Sequence, residues 1–317
     1  MKMNQFTYYG NGAYCYSNST AMLLASIGED IKPSLLESIG GVGIGAFVLP
    51  NSNIAFLSDY SGLPDMAISK SMSILGFEFE EKVSKSPNNP PFEELGNVLS
   101  KSPVVVGPLD MGYLSYDPGH KNHGGVDHFV FVFKISDDKA YLHDPAGFPN
   151  VSISLDDLGK AWKAEKISYK RGYYRFWYAP KRVSNPTSKE IYDLVIKNYQ
   201  RIYGTGERYG KKNDVKVDIK AINFMADNVE AEKVTKSEIG MLIGFVFPLG
   251  ARRANDMAMF LGEHNQELAQ LKTKQSRLLG ACHTNAVAGK WAEVARLLRE
   301  YSKVESEFKE TTMKVGI

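Results

Sequence analysis

The sequence predicts an α+β domain, helices first and an antiparallel sheet after them, followed by an all-α domain. Three observations carry this expectation. An apolar helix pattern ends at a glycine near the start, short β-rich runs cluster between 103 and 178, and beyond a capping box at 187 every periodic stretch is helical. At 317 residues the chain exceeds the usual single-domain size. The boundary is expected in APKRVSNP (179–186), giving domains 1–182 and 187–317.

In chain order, 15–27 (CYSNSTAMLLASI) suits a mostly buried helix, stopped by Gly28. A glycine-rich loop, IGGVGIGAF, covers 39–47. A helix over 63–75 ends at Gly76, 77–80 reads as a short strand, 84–91 as a proline-broken loop and 92–99 as a short helix. The run PVVVGP (103–108) is continuously apolar, as a buried central strand would be. FVFVFKI (129–135) and 139–143 flank Ser136-Asp137-Asp138, which reads as a hairpin. LDDLGKAWK (155–163) predicts one helix and YYRFWY (173–178) a last strand. In the second domain, Thr187-Ser188-Lys189-Glu190 is a capping box that opens a helix ending at Gly204. Further helices are expected over 218–230, 251–264, 266–279 and from 290 onward.

Composition narrows the class. A chain with 43% apolar and 23% charged residues can bury an ordinary core without staples. A formal charge of +2 gives no reason to expect nucleic acid or an anionic membrane as partner. The start, MKMNQFTYYGNG, lacks the apolar core of an export signal, and no apolar run approaches the roughly 20 residues of a membrane-spanning helix. Cys15 and Cys282, the two cysteines, suggest no disulfide framework. A cytoplasmic protein without cofactor or metal is the expectation.

Nucleophilic cysteine chemistry needs a sulfur, a base within hydrogen-bond reach and a third group that fixes the base's tautomer. Cys15 follows the loop Tyr9-Gly10-Asn11-Gly12 and begins a helix, whose unpaired amides favour a thiolate. His128 immediately precedes the FVFVF strand, and Asp144 lies just past the return strand of the hairpin. Adjacent antiparallel strands bring those ends together, an arrangement that papain-like enzymes use. Each residue has a plainer reading alone: a small core cysteine, a surface histidine, an Asp-Pro turn. Their coincidence in one topology favours the catalytic reading. His143 is the nearest rival base, but strand alternation points it away. One oxyanion donor is expected to be the Cys15 amide; Asn11 and Gln5 are candidates for a side-chain donor.

At these residues the sequence resembles the butirosin biosynthesis protein H family. The resemblance runs through Tyr14-Cys15, IGGVGIGAF, the segment PVVVGPLDMGYLSYDPGHKNHGGVDHFVFVF with its Asp110-x-x-Tyr113-Leu114-x-Tyr116 core, and Leu142-His143-Asp144-Pro145. In the second domain it covers Gly250-Ala251-Arg252-Arg253 through Phe260-Leu261. It implies a papain-like domain joined to a helical one. It also implies an acyltransferase that takes an acyl group from a carrier-protein or small-molecule thioester to a small amine through acyl-Cys15. The same triad in related folds hydrolyses peptides. Asp110, Tyr113 and Tyr116 are candidate pocket residues, and the exposed helices allow a homodimer.

Two rival classes remain. Asp117, His120, His123, Asp127 and His128 crowd into one loop as a metal hydrolase's ligands do, though no regular element holds them. A non-catalytic binding module would lack a triad member, and none is lacking. Cys282, late in an amphipathic helix, reads as a core residue.

Overall fold

The protein's computed structural model describes residues 6–10 and 12–316. The first half holds α1 (Cys15–Ala25), α2 (Pro33–Gly40), β1 (Phe47–Val48), β2 (Ala55–Phe56), α3 (Pro64–Ile74), β3 (Phe77–Ser84) and α4 (Phe92–Leu99). The sheet strands β4 (Val104–Asp110), β5 (Asp127–Ser136), β6 (Lys139–Asp144) and β7 (Phe148–Ser154) come next, then α5 (Leu155–Lys163) and β8 (Tyr173–Arg182). The rest is helical: α6 (Ser188–Asn213), α7 (Asp218–Glu230), α8 (Lys236–Met241), α9 (Phe247–Gly262), α10 (Gln266–Val287) and α11 (Trp291–Lys314). The expected mixture, helices and antiparallel sheet followed by helices alone, is what forms.

The chain divides into two compact units: residues up to Leu36 with Ile68–Asn185, and Glu37–Ala67 with Pro186–Ile317. Residues 37–67, expected inside a domain spanning 1–182, thus pack with the helical unit. The reason is apolar. Ala46, Ile54, Ala55 and Leu57 are buried in one cluster with Ile222, Met225, Phe247, Leu279 and Leu298.

In the first unit a six-stranded antiparallel sheet runs in the order β3-β8-β4-β5-β6-β7. Strand β4 is buried at every residue, which explains its unbroken apolar run. Val104 and Val106 cluster with Leu95 of α4 and Leu158, Ala161 and Trp162 of α5. Phe129 meets Tyr16 of α1 at 6.0 Å between ring centroids, and the Ser19 hydroxyl donates to the Phe129 carbonyl. Helix α1 is buried from Tyr16 through Leu24, so its polar residues need internal partners. The β5–β6 hairpin closes in two residues, Asp137 and Asp138, both left-handed (φ 53° and 57°). Short acidic side chains tolerate that conformation, and this turn twists as paired strands do.

Strand β7 lies in a stretch to which the sequence reading assigns no element, and Pro149-Asn150 breaks its β pattern. Helix α6 continues past its expected end at Gly204 to Asn213. The capping box at Thr187 and Glu190 forms as predicted. Between α8 and α9 the helix widens into a π-helical segment, Leu242–Val246. Among the described residues no helix is long and apolar enough to cross a membrane.

The helical unit encloses a polar network. Asp59 Oδ1 accepts hydrogen bonds from the Ser61 amide and hydroxyl. Asp218 Oδ2 takes Lys309 Nζ at 2.5 Å, and the same ammonium reaches Glu207. Buried Glu305 accepts from Tyr203 at 2.6 Å and from Gln275 at 2.7 Å. Buried polar groups are stable in a core only when partnered in this way.

Candidate active site

Cys15 is the first residue of α1 and partly exposed. Tyr14 before it is left-handed (φ 57°), an uncommon state for a bulky residue. Asn18, one turn along, donates from Nδ2 to the carbonyls of Ala13 (2.5 Å) and Tyr14 (3.0 Å). That side chain ties the approach to the helix that carries the sulfur. The Gly12 amide donates to the Pro145 carbonyl at 3.3 Å, joining the Cys15 loop to the end of β6.

His128 is the second residue of β5 and Asp144 the last of β6. Phe131 pairs with His143. Carried one step further, that register sets Asp144 across from Val130, on the strand face that His128 shares. The side chains meet: His128 Nε2 and Asp144 Oδ1 are 2.6 Å apart. The Cys15 sulfur lies close enough to His128 to raise the imidazole pKa. With Nε2 engaged by Asp144, Nδ1 is the nitrogen left for the sulfur. Of the three residues picked from sequence, His128 and Asp144 are thus in direct contact, and the Cys15 sulfur is near enough to act on the histidine.

Both charged partners are buried, His128 at 5% exposure and Asp144 at 1%. Burial alone would push His128 toward its neutral form. The Asp144 carboxylate and the Cys15 sulfur outweigh it, and the imidazole pKa stands well above the usual histidine value. Burial also works against ionised Asp144, but His128, the Ala146 amide and the Tyr116 hydroxyl prevail and hold its pKa below the usual carboxylate value. The arrangement favours a protonated, oriented imidazole beside the sulfur.

The remaining sequence candidates separate. Asn11 and Gln5 lie outside the described residues. Asp110 is buried, and its Oδ1 accepts from the amides of Gly112 (2.9 Å) and Gly125 (2.8 Å). It closes the base of a loop instead of lining a pocket. The Tyr116 hydroxyl is committed to Asp144 Oδ2 at 2.7 Å, while Tyr113 is exposed. His143 is buried against Phe131 and Phe133, its Nδ1 accepting from the Asn150 amide. It sits on the far face, as alternation predicts.

The residues of the metal reading do not assemble into a ligand set. His120 Nδ1 is 2.8 Å from the Asp117 carbonyl oxygen, His123 lies 3.4 Å from Asp117, and Asp127 accepts from Tyr169. Among the described residues no three His, Cys, Asp or Glu side chains gather as a metal site. Cys282 is fully buried in the helical core.

Sequence reasoning missed Asn18, Ala146, Tyr8 and the task of Tyr116. The Ala146 amide donates to Asp144 Oδ1 at 2.7 Å, and Tyr8 donates to the Asp144 carbonyl at 2.9 Å. Only Asn18 left a signal, an amide side chain inside a helix expected to be mostly buried.

Among solved structures, a "putative C39-like peptidase" from Bacillus anthracis aligns with 56% of this chain and 96% of its own, at 15% identity and a TM-score of 0.37. That likeness is too low to bear on fold or activity. Residues 212–313 match the YobF C-terminal domain family. "Uncharacterized protein YobF" of Bacillus subtilis (strain 168) is 40% identical over 310 residues, covering 98% of this chain and 99% of that protein. The family shown is thus not the butirosin H family that the sequence resemblance named; the chain belongs to the YobF family.

Proposed function

We propose that this chain is a papain-like cysteine enzyme that carries an acyl group on Cys15. The observation that supports the reading is the buried His128–Asp144 pair, Nε2 2.6 Å from Oδ1, with the helix-start sulfur of Cys15 close enough to raise the imidazole pKa. His128 holds the proton that leaves Cys15, and the sulfur attacks a thioester or amide carbonyl. A carbon–sulfur bond forms, and the carbonyl oxygen takes the negative charge against the helix-start amide of Cys15. On collapse the old leaving group departs with the proton from His128. A second nucleophile, losing its proton to His128, then releases the acyl group and restores the thiol.

The butirosin H resemblance favours a carrier-protein thioester as donor and a small amine as acceptor. The second reading, a peptidase or amidase in which water resolves the acyl-enzyme, is favoured by the partial exposure of Cys15, which leaves solvent a route to the sulfur.

Brief treatment with dilute iodoacetamide at neutral pH, followed by intact mass and peptide mapping, tests the common step. The expected result is one modification, at Cys15, lost in His128→Ala. Labelling of Cys282 with Cys15 untouched would overturn the reading. Acyl thioesters offered with and without amines then separate amide product from free acid.

A further inference from the structure

The Asp144 carboxylate receives three side-chain or backbone donors. Oδ1 takes His128 Nε2 at 2.6 Å and the Ala146 amide at 2.7 Å; Oδ2 takes the Tyr116 hydroxyl at 2.7 Å. Ala146 is two residues along the same turn and moves with Asp144. Tyr116 comes from a separate loop, 28 residues earlier. We infer that Tyr116 is a positioning residue, which fixes the Asp144 carboxylate from outside its own turn and thereby holds His128 in place for Cys15. This rests on the proposed acyl-Cys15 chemistry.

The loop is built to hold the phenol still. Asp110 Oδ1 accepts from Gly112 and Gly125 and draws the two ends together. Leu114 is fully buried within the sheet core. The Ser115 hydroxyl donates to Asp157 at 2.9 Å, and the Tyr116 ring meets Phe148 edge-on at 5.7 Å. A side chain so held cannot swing out to serve as a mobile pocket wall. Its hydroxyl does for Asp144 what a solvent donor would do at an exposed site. A carboxylate that accepts several hydrogen bonds is stabilised as the anion and restrained in rotation. Without the hydroxyl, Oδ2 loses its outside partner. Asp144 then protonates more easily, and a protonated Asp144 no longer holds the His128 proton.

The test follows Cys15 alkylation by iodoacetamide from pH 4 to 9 in the full chain, read by intact mass, and needs no substrate. Tyr116→Phe keeps the ring and its packing, and a thermal melt confirms the fold. The acid limb of Cys15 reactivity is expected to move up by about one pH unit, with the largest loss at pH 4 and none left by pH 7. Tyr116→Phe added to Asp144→Asn is expected to change nothing further, because the hydroxyl acts through the carboxylate. A Tyr116→Phe profile that overlays the wild type, with wild-type Cys15 activated, overturns the positioning role alone. An equal shift in the Asp144→Asn background overturns it too. An ordinary thiol profile in the wild type overturns the site reading and this inference with it.

Discussion

Asp218 opens α7 in a left-handed conformation (φ 49°) and is 3% exposed. Its Oδ2 pairs with Lys309, while Oδ1 has no hydrogen-bond partner among the described residues, nor has Asp59 Oδ2. A Cβ built on Gly45 would lie 2.8 Å from the first of these oxygens and 3.6 Å from the second, so both border one small space. Burial raises Asp59 and pushes Asp218 up to about 6 from 3.8, against the pull of Lys309. At about 1.4 kcal/mol per pH unit, ionised Asp218 costs the folded state about 3 kcal/mol. Asp218→Asn removes that charge, tolerates the left-handed backbone, keeps an acceptor for Lys309 and gives Asp59 a donor.

The sign follows from linkage. A carboxyl whose folded pKa exceeds its unfolded one adds no penalty below pH 3.8, accumulates one as pH climbs to 6, and carries it in full above. The Asn variant should therefore be more stable by about 1–3 kcal/mol at pH 8, with the advantage vanishing near pH 4. Urea unfolding followed by far-UV circular dichroism across that range measures the difference. A difference that ignores pH, or an Asn variant weaker at pH 8, refutes the argument.

Two further outcomes are expected. A Cβ on Gly206 would lie 1.7 Å from Asp59 Oδ2, whereas one on Gly204 meets only Arg208 at 3.6 Å. Melting temperatures should rank Gly204→Ala above wild type, by up to about 1 kcal/mol of helix propensity. Gly206→Ala should fall below wild type by about 2 kcal/mol or more, and the reverse order would contradict the packing. Burial pushes the Cys282 thiol up to about 12, with Glu293 adding to the effect. Thiol reagents at pH 8 should reach it only as fast as urea unfolds the helical unit; prompt labelling of the native protein would show the core to be open.

The candidate site was legible where chemistry and local pattern coincide. Cys15 stands at a helix start, and His128 and Asp144 stand at the two ends of a hairpin whose turn residues are visible in sequence. The support around Asp144 was not legible, since nothing local to Tyr116 reports a carboxylate 28 residues away. Strand β7 was hidden by Pro149 and by Asn150, which is left-handed (φ 55°), because such residues ordinarily mark turns. Gly204 read as a helix stop for the usual reason that glycine favours C-caps. In α6, glycine at 206 instead makes room for Asp59, a long-range demand that no local pattern encodes. The same holds for IGGVGIGAF, which reads as loop while its own Ala46 is buried among residues more than a hundred positions later.

The helical unit is assembled from two stretches of chain, Glu37–Ala67 and Pro186–Ile317, and this shapes how the protein can be made and cut. During synthesis, residues 37–67 leave the ribosome while their helical partners are still untranslated. Every strand of the six-stranded sheet precedes residue 186, so that sheet can close first. Residues 37–67 must then wait, with Ile54 and Leu57 unburied, for α7 to arrive. A fragment cut at 186 would not be a whole domain: it would strip from the helical core the part of its apolar cluster that Ala46, Ile54, Ala55 and Leu57 supply. The matched family region, 212–313, is shorter still, a unit of resemblance and not a unit of folding.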